Sequence, residues 1–276
     1  VRRLLLSAVA VCLAITLTPA RAAPALPVLS APAAIVIDGW SGNVLYARHP
    51  DVYRDPASTV KIMTVLIVLQ HHIPLSRIET VSLQAATIGG STASLYAGER
   101  ISERNLLYGA LLPSGNDAAV ALAQSVTPNM QAFVSMMNAE AARLHMWHTH
   151  YLTPNGYDVY GQVTTARDLA TVTRAAMHLQ TFQRVVDTKV WTARSLNGTI
   201  HTWTNLNQLL WRSRSVDGVK TGTTPGAGAC LVTSAQQGGR WIIAVNLGST
   251  ETTRFTDGAA LLRYGFAVDS DSPSTR

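Results

Sequence analysis

The sequence predicts an α+β fold, an antiparallel sheet flanked by helices with a helical lobe beside it. Two observations carry this. Strand-like stretches sit near both ends of the chain while the middle reads as helix, so a sheet begun early is completed by the C-terminal third. The chain is also long and apolar enough, at 276 residues and 47% hydrophobic, for one large domain or two intimately packed lobes.

Taken in order, residues 1–22 read as a secretory signal peptide. Arg2 and Arg3 precede an apolar run from Leu4 to Leu17, and Ala20-Arg21-Ala22 supplies an A-x-A cleavage site. Residues 23–32, rich in proline and alanine, form an extended lead-in to a catalytic domain spanning 33–268, and 269–276 form a polar tail. Within the domain, 34–48 predicts a hairpin turning through Gly39 to Asn43. A helix runs from Ser58 to about His71 and stops at Ile73-Pro74. Helical runs follow near 103–126 and 129–145, and Thr165 opens another to about Leu179. Strands are expected at 216–221, 229–235 and 241–247, then a closing helix from Thr252 to Tyr264. After Gly265-Phe266 no amphipathic anchor is visible.

Charge narrows the function. The formal net charge is +6, and removal of 1–22 takes Arg2, Arg3 and Arg21 with no acid, leaving +3. That mild basicity suits an anionic cell surface, but there is no basic helix, no Lys/Arg cluster and no aromatic-basic interleaving, so nucleic-acid binding is unsupported. Cys12 would leave with the signal, so Cys230 would stand alone and no intramolecular disulfide would form.

The chemistry centres on Ser58-Thr59-Val60-Lys61. On a helix, positions i and i+3 share a face, which puts the Ser58 hydroxyl within reach of the Lys61 amine. A serine beside a neutral amine is an activated nucleophile. The plain alternative is a helix cap and a solvated charge. Lysine usage favours the first: the chain has only Lys61, Lys189 and Lys220, with arginine elsewhere. Lysine can exist neutral when buried or beside a cation, and arginine cannot. Two further stretches are weak alone. Ser114-Gly115-Asn116 reads as a turn that can present a hydroxyl and a carboxamide, and Lys220-Thr221-Gly222-Thr223 as a strand running into a glycine turn. Together and in this order they match the S-x-x-K, S-x-N and K-T-G set of serine penicillin-recognising enzymes. Ser114 lies 56 residues after Ser58, and Lys220 a further 106 along.

On these motifs, with Arg54-Asp55-Pro56, Thr164-Thr165-Ala166-Arg167-Asp168 and Leu261-Leu262-Arg263-Tyr264-Gly265-Phe266, the chain resembles the serine D-alanyl-D-alanine carboxypeptidases, low-molecular-mass penicillin-binding proteins of β-lactamase/transpeptidase-like fold. The resemblance implies a secreted, extracytoplasmic enzyme that removes the terminal D-alanine of peptidoglycan pentapeptide stems and is acylated by β-lactams. It implies Ser58 as nucleophile, Lys61 as base, Lys220 helping to keep Lys61 neutral, Ser114 as proton relay and Asn116 as orienter of the substrate amide. Backbone N–H groups of Ser58 and Thr223 would form the oxyanion hole, worth roughly 3 kcal/mol per donor. Thr221, Gly222, Thr223 and Arg254 would bind the substrate, the last through its free carboxylate. No metal or organic cofactor is implied.

Alternatives remain. A D,D-endopeptidase would share all three motifs. A non-catalytic β-lactam- or peptidoglycan-binding protein would not need Ser58, Lys61, Ser114, Asn116 and Lys220 all intact. A class A β-lactamase would use a glutamate after the helical lobe, and 141–250 contains none. His145, His148 and His150 invite a metal reading but have no acidic neighbour in sequence. Cys230 reads as core.

Overall fold

A computed structural model describes residues 24–269. The expected signal peptide 1–22 and all but the first residue of the expected tail lie outside the described residues. The segment from Pro24 to Pro32 has no regular structure and is held by the carboxylate of Asp257, which accepts from the backbone N–H groups of Ser30 and Ala31.

The sheet is antiparallel and takes strands from both ends of the chain. Strands β1 (Ala33–Asp38) and β2 (Val44–Arg48) form the predicted N-terminal hairpin. Strands β7 (Val216–Thr224), β8 (Gly228–Gln237) and β9 (Arg240–Ser249) come from the C-terminal third. The spatial order is β2-β1-β9-β8-β7, so β7 is an edge. Strands β1, β8 and β9 are buried on both faces, which is why they read as apolar runs rather than as alternation. One face packs against the final helix α9 (Arg254–Asp269) through Phe255, Leu261 and Leu262. The other face packs against α6 (Ala166–Met177) and the core of the helical lobe.

The helical lobe is built around α1 (Lys61–Gln70), whose first eight residues are all buried. A helix surrounded by protein needs no polar face, and Lys61 is its only charged residue. Around it lie α3 (Glu103–Leu111), α4 (Asn116–Val126) and α5 (Met130–Arg143). The expected continuous run at 103–126 is therefore two helices. The chain breaks at Pro113, and Ser114 takes a left-handed backbone (φ 66°) that no helix tolerates. The closing helix also begins later and runs further than its expected 252–264.

Several elements were not foreseen. Strands β3 (Ile78–Thr80) and β4 (Arg100–Ser102) pair with each other, as do β5 (Val190–Arg194) and β6 (Ile200–Thr204). Short helices α2 (Leu83–Ala86), α7 (Gln180–Asp187) and α8 (Leu209–Arg212) fill the connections. Their pairing depends on partners distant in the fold: His201 of β6, for example, bonds Glu99 at 2.7 Å.

Candidate active site

Ser58 is not on an α-helix. It lies in a 3-10 turn, Ala57–Val60, which runs directly into α1. In that tighter helix, residues i and i+3 eclipse, so the predicted Ser58–Lys61 pairing is better served than by α geometry. Lys61 Nζ sits 2.9 Å from Ser58 Oγ. It is also 2.8 Å from Asn116 Oδ1 and 2.7 Å from the Asn155 carbonyl oxygen. The last two atoms can only accept hydrogen bonds. A neutral amine has two N–H groups and one lone pair. With both N–H groups donated to Asn116 and Asn155, the lone pair is left facing the Ser58 hydroxyl. Burial pushes the Lys61 amine well below the usual lysine range, the charge of Lys220 pushes it further, and Asp117 opposes them. Burial is thus the larger cause, with Lys220 second.

Asn116 is placed by the start of α4. Its backbone N–H donates to Ser91 O at 2.8 Å and its Nδ2 to Gly89 O at 2.9 Å, which fixes Oδ1 toward Lys61. The buried carboxylate of the next residue, Asp117, accepts from Thr92 Oγ1 and the backbone N–H groups of Ala93 and Leu95, tying the 91–95 loop to the helix. Ser114 is buried two residues before Asn116, and its Oγ has no hydrogen-bond partner among the described residues. The structure thus brings Lys61 into direct contact with Ser58 and Asn116, while no hydrogen bond joins the Ser114 hydroxyl to them.

Sequence reasoning missed the segment Thr153-Pro154-Asn155-Gly156. Thr64 Oγ1 donates to Pro154 O at 2.6 Å, holding the Asn155 carbonyl over Lys61. Gly156 (φ +88°) lies against the turn that carries the serine: a Cβ there would sit 2.0 Å from Ala57 O. Pro-Asn-Gly announces a turn, but nothing in those letters says that a main-chain oxygen will ligate an amine 94 residues upstream.

The edge strand β7 closes the other side. Gly222 approaches so closely that a Cβ would stand 3.1 Å from Ser58 N, which places the strand beside the serine's backbone N–H. Lys220 is buried and donates to Thr221 O at 2.9 Å; burial first, and Arg254 second, bring its amine down to about 7. Arg254, the first residue of α9, reaches back over the strand, and its Nη1 donates to Thr223 Oγ1 at 2.6 Å. Thr221 is buried and Thr223 is exposed. A cleft of ≈ 610 Å³ opens here, lined among others by Ser58, Asn116, Asn155, Tyr157 and Thr223.

The features set aside lie elsewhere. His148 and His150 belong to the segment after α5, where the His148 backbone N–H donates to Asp168 and His150 forms a bridge with Val163. Cys230 is buried in β8, and burial pushes its thiol up to about 11.

Comparison with known proteins identifies the family. The family profile described as D-alanyl-D-alanine carboxypeptidase (Peptidase_S11) matches residues 20–251. A D-alanyl-D-alanine carboxypeptidase of Streptomyces sp. (strain K15) is 35% identical over 268 residues, covering 91% of this chain and 92% of that protein. One from Escherichia coli (strain K12) is 38% identical over 253 residues, covering 87% of this chain and 62% of that protein. The crystal structure of the Streptomyces K15 DD-transpeptidase superposes with a TM-score of 0.85 at 34% identity, covering 88% of this chain and all of that one. With the ordered motifs gathered around one cleft and a profile match across most of its length, the chain belongs to the serine-type D-alanyl-D-alanine carboxypeptidase family.

Proposed function

We propose that this enzyme removes the terminal D-alanine of peptidoglycan stem peptides through an acyl-enzyme on Ser58, outside the cytoplasm. The observation that carries the reading is the three-partner arrangement at the buried Lys61, in which the neutral amine would turn its lone pair to the serine hydroxyl. As Ser58 Oγ attacks the carbonyl between the two D-alanines, its proton passes to Lys61 Nζ, and the carbonyl oxygen becomes an oxyanion. The backbone N–H groups of Ser58 and Thr223 stabilise that charge. When the C–N bond breaks, the departing D-alanine amine takes a proton through Ser114. Asn116 orients the substrate amide as well as Lys61.

The substrate lies extended along the open edge of β7, where unpaired backbone groups can pair with a peptide. Its terminal carboxylate is held by Arg254 and the hydroxyls of Thr221 and Thr223, with Gly222 allowing close approach. Water then attacks the ester and restores Ser58. β-Lactams acylate the same serine. No step calls on a metal or organic cofactor.

Similarity to the Streptomyces K15 DD-transpeptidase favours a second outcome for the same acyl-enzyme, attack by an amine instead of water. A D,D-endopeptidase acting on cross-links would use the same groups. Intact mass after benzylpenicillin, alongside D-alanine release from a Lys-D-Ala-D-Ala peptide with and without an amine acceptor, separates these. A Ser58 adduct with free D-alanine and free acid product is the expected result. An adduct without D-alanine release would favour the endopeptidase or a binding protein.

A further inference from the structure

The segment that supplies the Asn155 carbonyl to Lys61 runs on along the catalytic cleft and is tied to both of its walls. On one side Tyr157 Oη donates to Ile88 O at 2.6 Å, next to the Gly89 carbonyl that holds Asn116. On the other, the Oδ2 atom of Asp158 accepts from the backbone N–H of Gly226 at 3.0 Å, in the turn between β7 and β8. Gln162 Nε2 steadies the join by donating to Tyr157 O at 2.7 Å. Asp158 is therefore exposed yet anchored.

Its charge sets it apart. Asp158 is the one charged side chain among the described residues that line the cleft. It makes no salt bridge with any described residue, so the protein itself leaves this carboxylate without a counter-charge.

The direction of the substrate decides what meets it. With the terminal carboxylate at Thr221, Thr223 and Arg254, and the scissile carbonyl at Ser58, the acyl part of the peptide leaves the serine toward Thr224 and Pro225. Those two residues line the cleft and lead to Gly226, where Asp158 is held. Gly226 lies three residues beyond Thr223 and so no more than about 11 Å from it. The peptide residue before the two D-alanines covers about 3.8 Å of that span with its backbone. A side chain with a four-carbon stem ending in an ammonium can reach across the rest.

We propose that Asp158 selects the residue preceding the two D-alanines by pairing with a side chain that ends in a free, protonated amine. This rests on the carboxypeptidase reading and deepens it by naming the substrate class, stem peptides in which that amine is free. Acylation of the amine, as in a cross-link, removes its charge, so stems already joined through it are the poorer substrates.

The test compares kcat/KM for D-alanine release from three peptides: Nα-acetyl-Lys-D-Ala-D-Ala, its Nε-acetyl derivative, and its norleucine analogue, which keeps the stem and lacks the amine. The expected result is a preference of about fivefold for the free amine over both others, the scale of an exposed ion pair, shrinking as salt is raised. D158N keeps an acceptor for the Gly226 N–H and removes the charge, so its ratio should fall to about one. D187N removes an exposed carboxylate at the end of α7 and should retain the fivefold ratio. Equal kcat/KM on the three peptides, or a penalty on the bulkier Nε-acetyl peptide alone, would overturn the proposal and leave the carboxypeptidase reading standing. So would a preference that survives in D158N, or one that D187N removes as well. An equal loss on all three peptides in D158N would assign Asp158 to holding the β7–β8 turn. Release of D-alanine from none of the peptides by the parent enzyme would overturn the carboxypeptidase reading, and the proposal with it.

Discussion

The carboxamide oxygen of Asn116 lies 2.8 Å from the Lys61 amine nitrogen, and an oxygen that can only accept is what a neutral amine needs there. Burial and the charge of Lys220 hold the Lys61 amine below its usual range, and a charge placed at that oxygen would act against them. Asn116→Asp would put a carboxylate at the same distance and favour the ammonium form, in which the nitrogen has no lone pair for the Ser58 proton. Penicillin acylation at neutral pH should fall at least a hundredfold, and the acid limb of its pH profile should move to higher pH. Stopped-flow labelling of the variant at several pH values checks this. An unshifted limb would remove Lys61 as the titrating base.

How much of this was legible beforehand depends on whether the signal was local. Ser58 and Lys61 are three residues apart, so their pairing follows from helical geometry, although a 3-10 turn delivers it. The β1–β2 hairpin and the strands β7 to β9 were read from apolar runs bounded by turn residues. The Asn155 carbonyl was invisible because any residue type supplies a backbone oxygen. The β5–β6 hairpin was missed because strand pairs such as Trp191 with Trp203 acquire their partners only in the folded chain. Arg254 was placed by resemblance alone; that its Nη1 meets Thr223 Oγ1 is tertiary information.

Lys220 should cost stability while serving function. Its pKa falls from the ordinary 10.5 to about 7 on folding, so the unfolded chain binds more protons between those values. Unfolding free energy therefore rises with pH through that window, and the penalty is full below about pH 7. Lys220→Met should raise stability at pH 6 by on the order of 3–5 kcal/mol, with the gain shrinking toward pH 10.5, while abolishing rapid acylation. Urea unfolding at pH 6 and pH 9 reads this directly. A gain that is the same at both pH values would mean that Lys220 is as fully protonated in the folded protein as in the unfolded chain, so that folding does not lower its pKa.

Gly156 is the tightest support of the nucleophile. A methyl group there would stand 2.0 Å from Ala57 O, in a backbone conformation that L residues resist. Gly156→Ala should push the 3-10 turn away from its position and slow Ser58 acylation about a hundredfold, as expected for a shift of about 1 Å at a reacting atom. Gly161→Ala, in the same segment but with its Cβ at an ordinary 3.7 Å from Leu152 Cδ1, carries the backbone penalty without the clash. If the two variants label with penicillin at the same rate, the contact with Ala57 does not position Ser58.

Arg254 tests carboxylate recognition separately from chemistry. Its guanidinium is half-buried, its Nη1 is committed to Thr223, and its Nε has no partner among the described residues. A charge-assisted contact with the substrate's terminal carboxylate contributes about 1.5–3 kcal/mol, which corresponds to roughly 10- to 150-fold. Arg254→Gln should lower kcat/KM by that factor for a peptide ending in a free D-alanine carboxylate. The same peptide capped as a C-terminal amide offers no charge to lose, so its already poor turnover should change little. Steady-state assays of both peptides with both enzymes give the comparison. An equal loss on the two substrates would assign Arg254 to holding Thr223 and β7 in place, because a structural role does not distinguish a carboxylate from an amide.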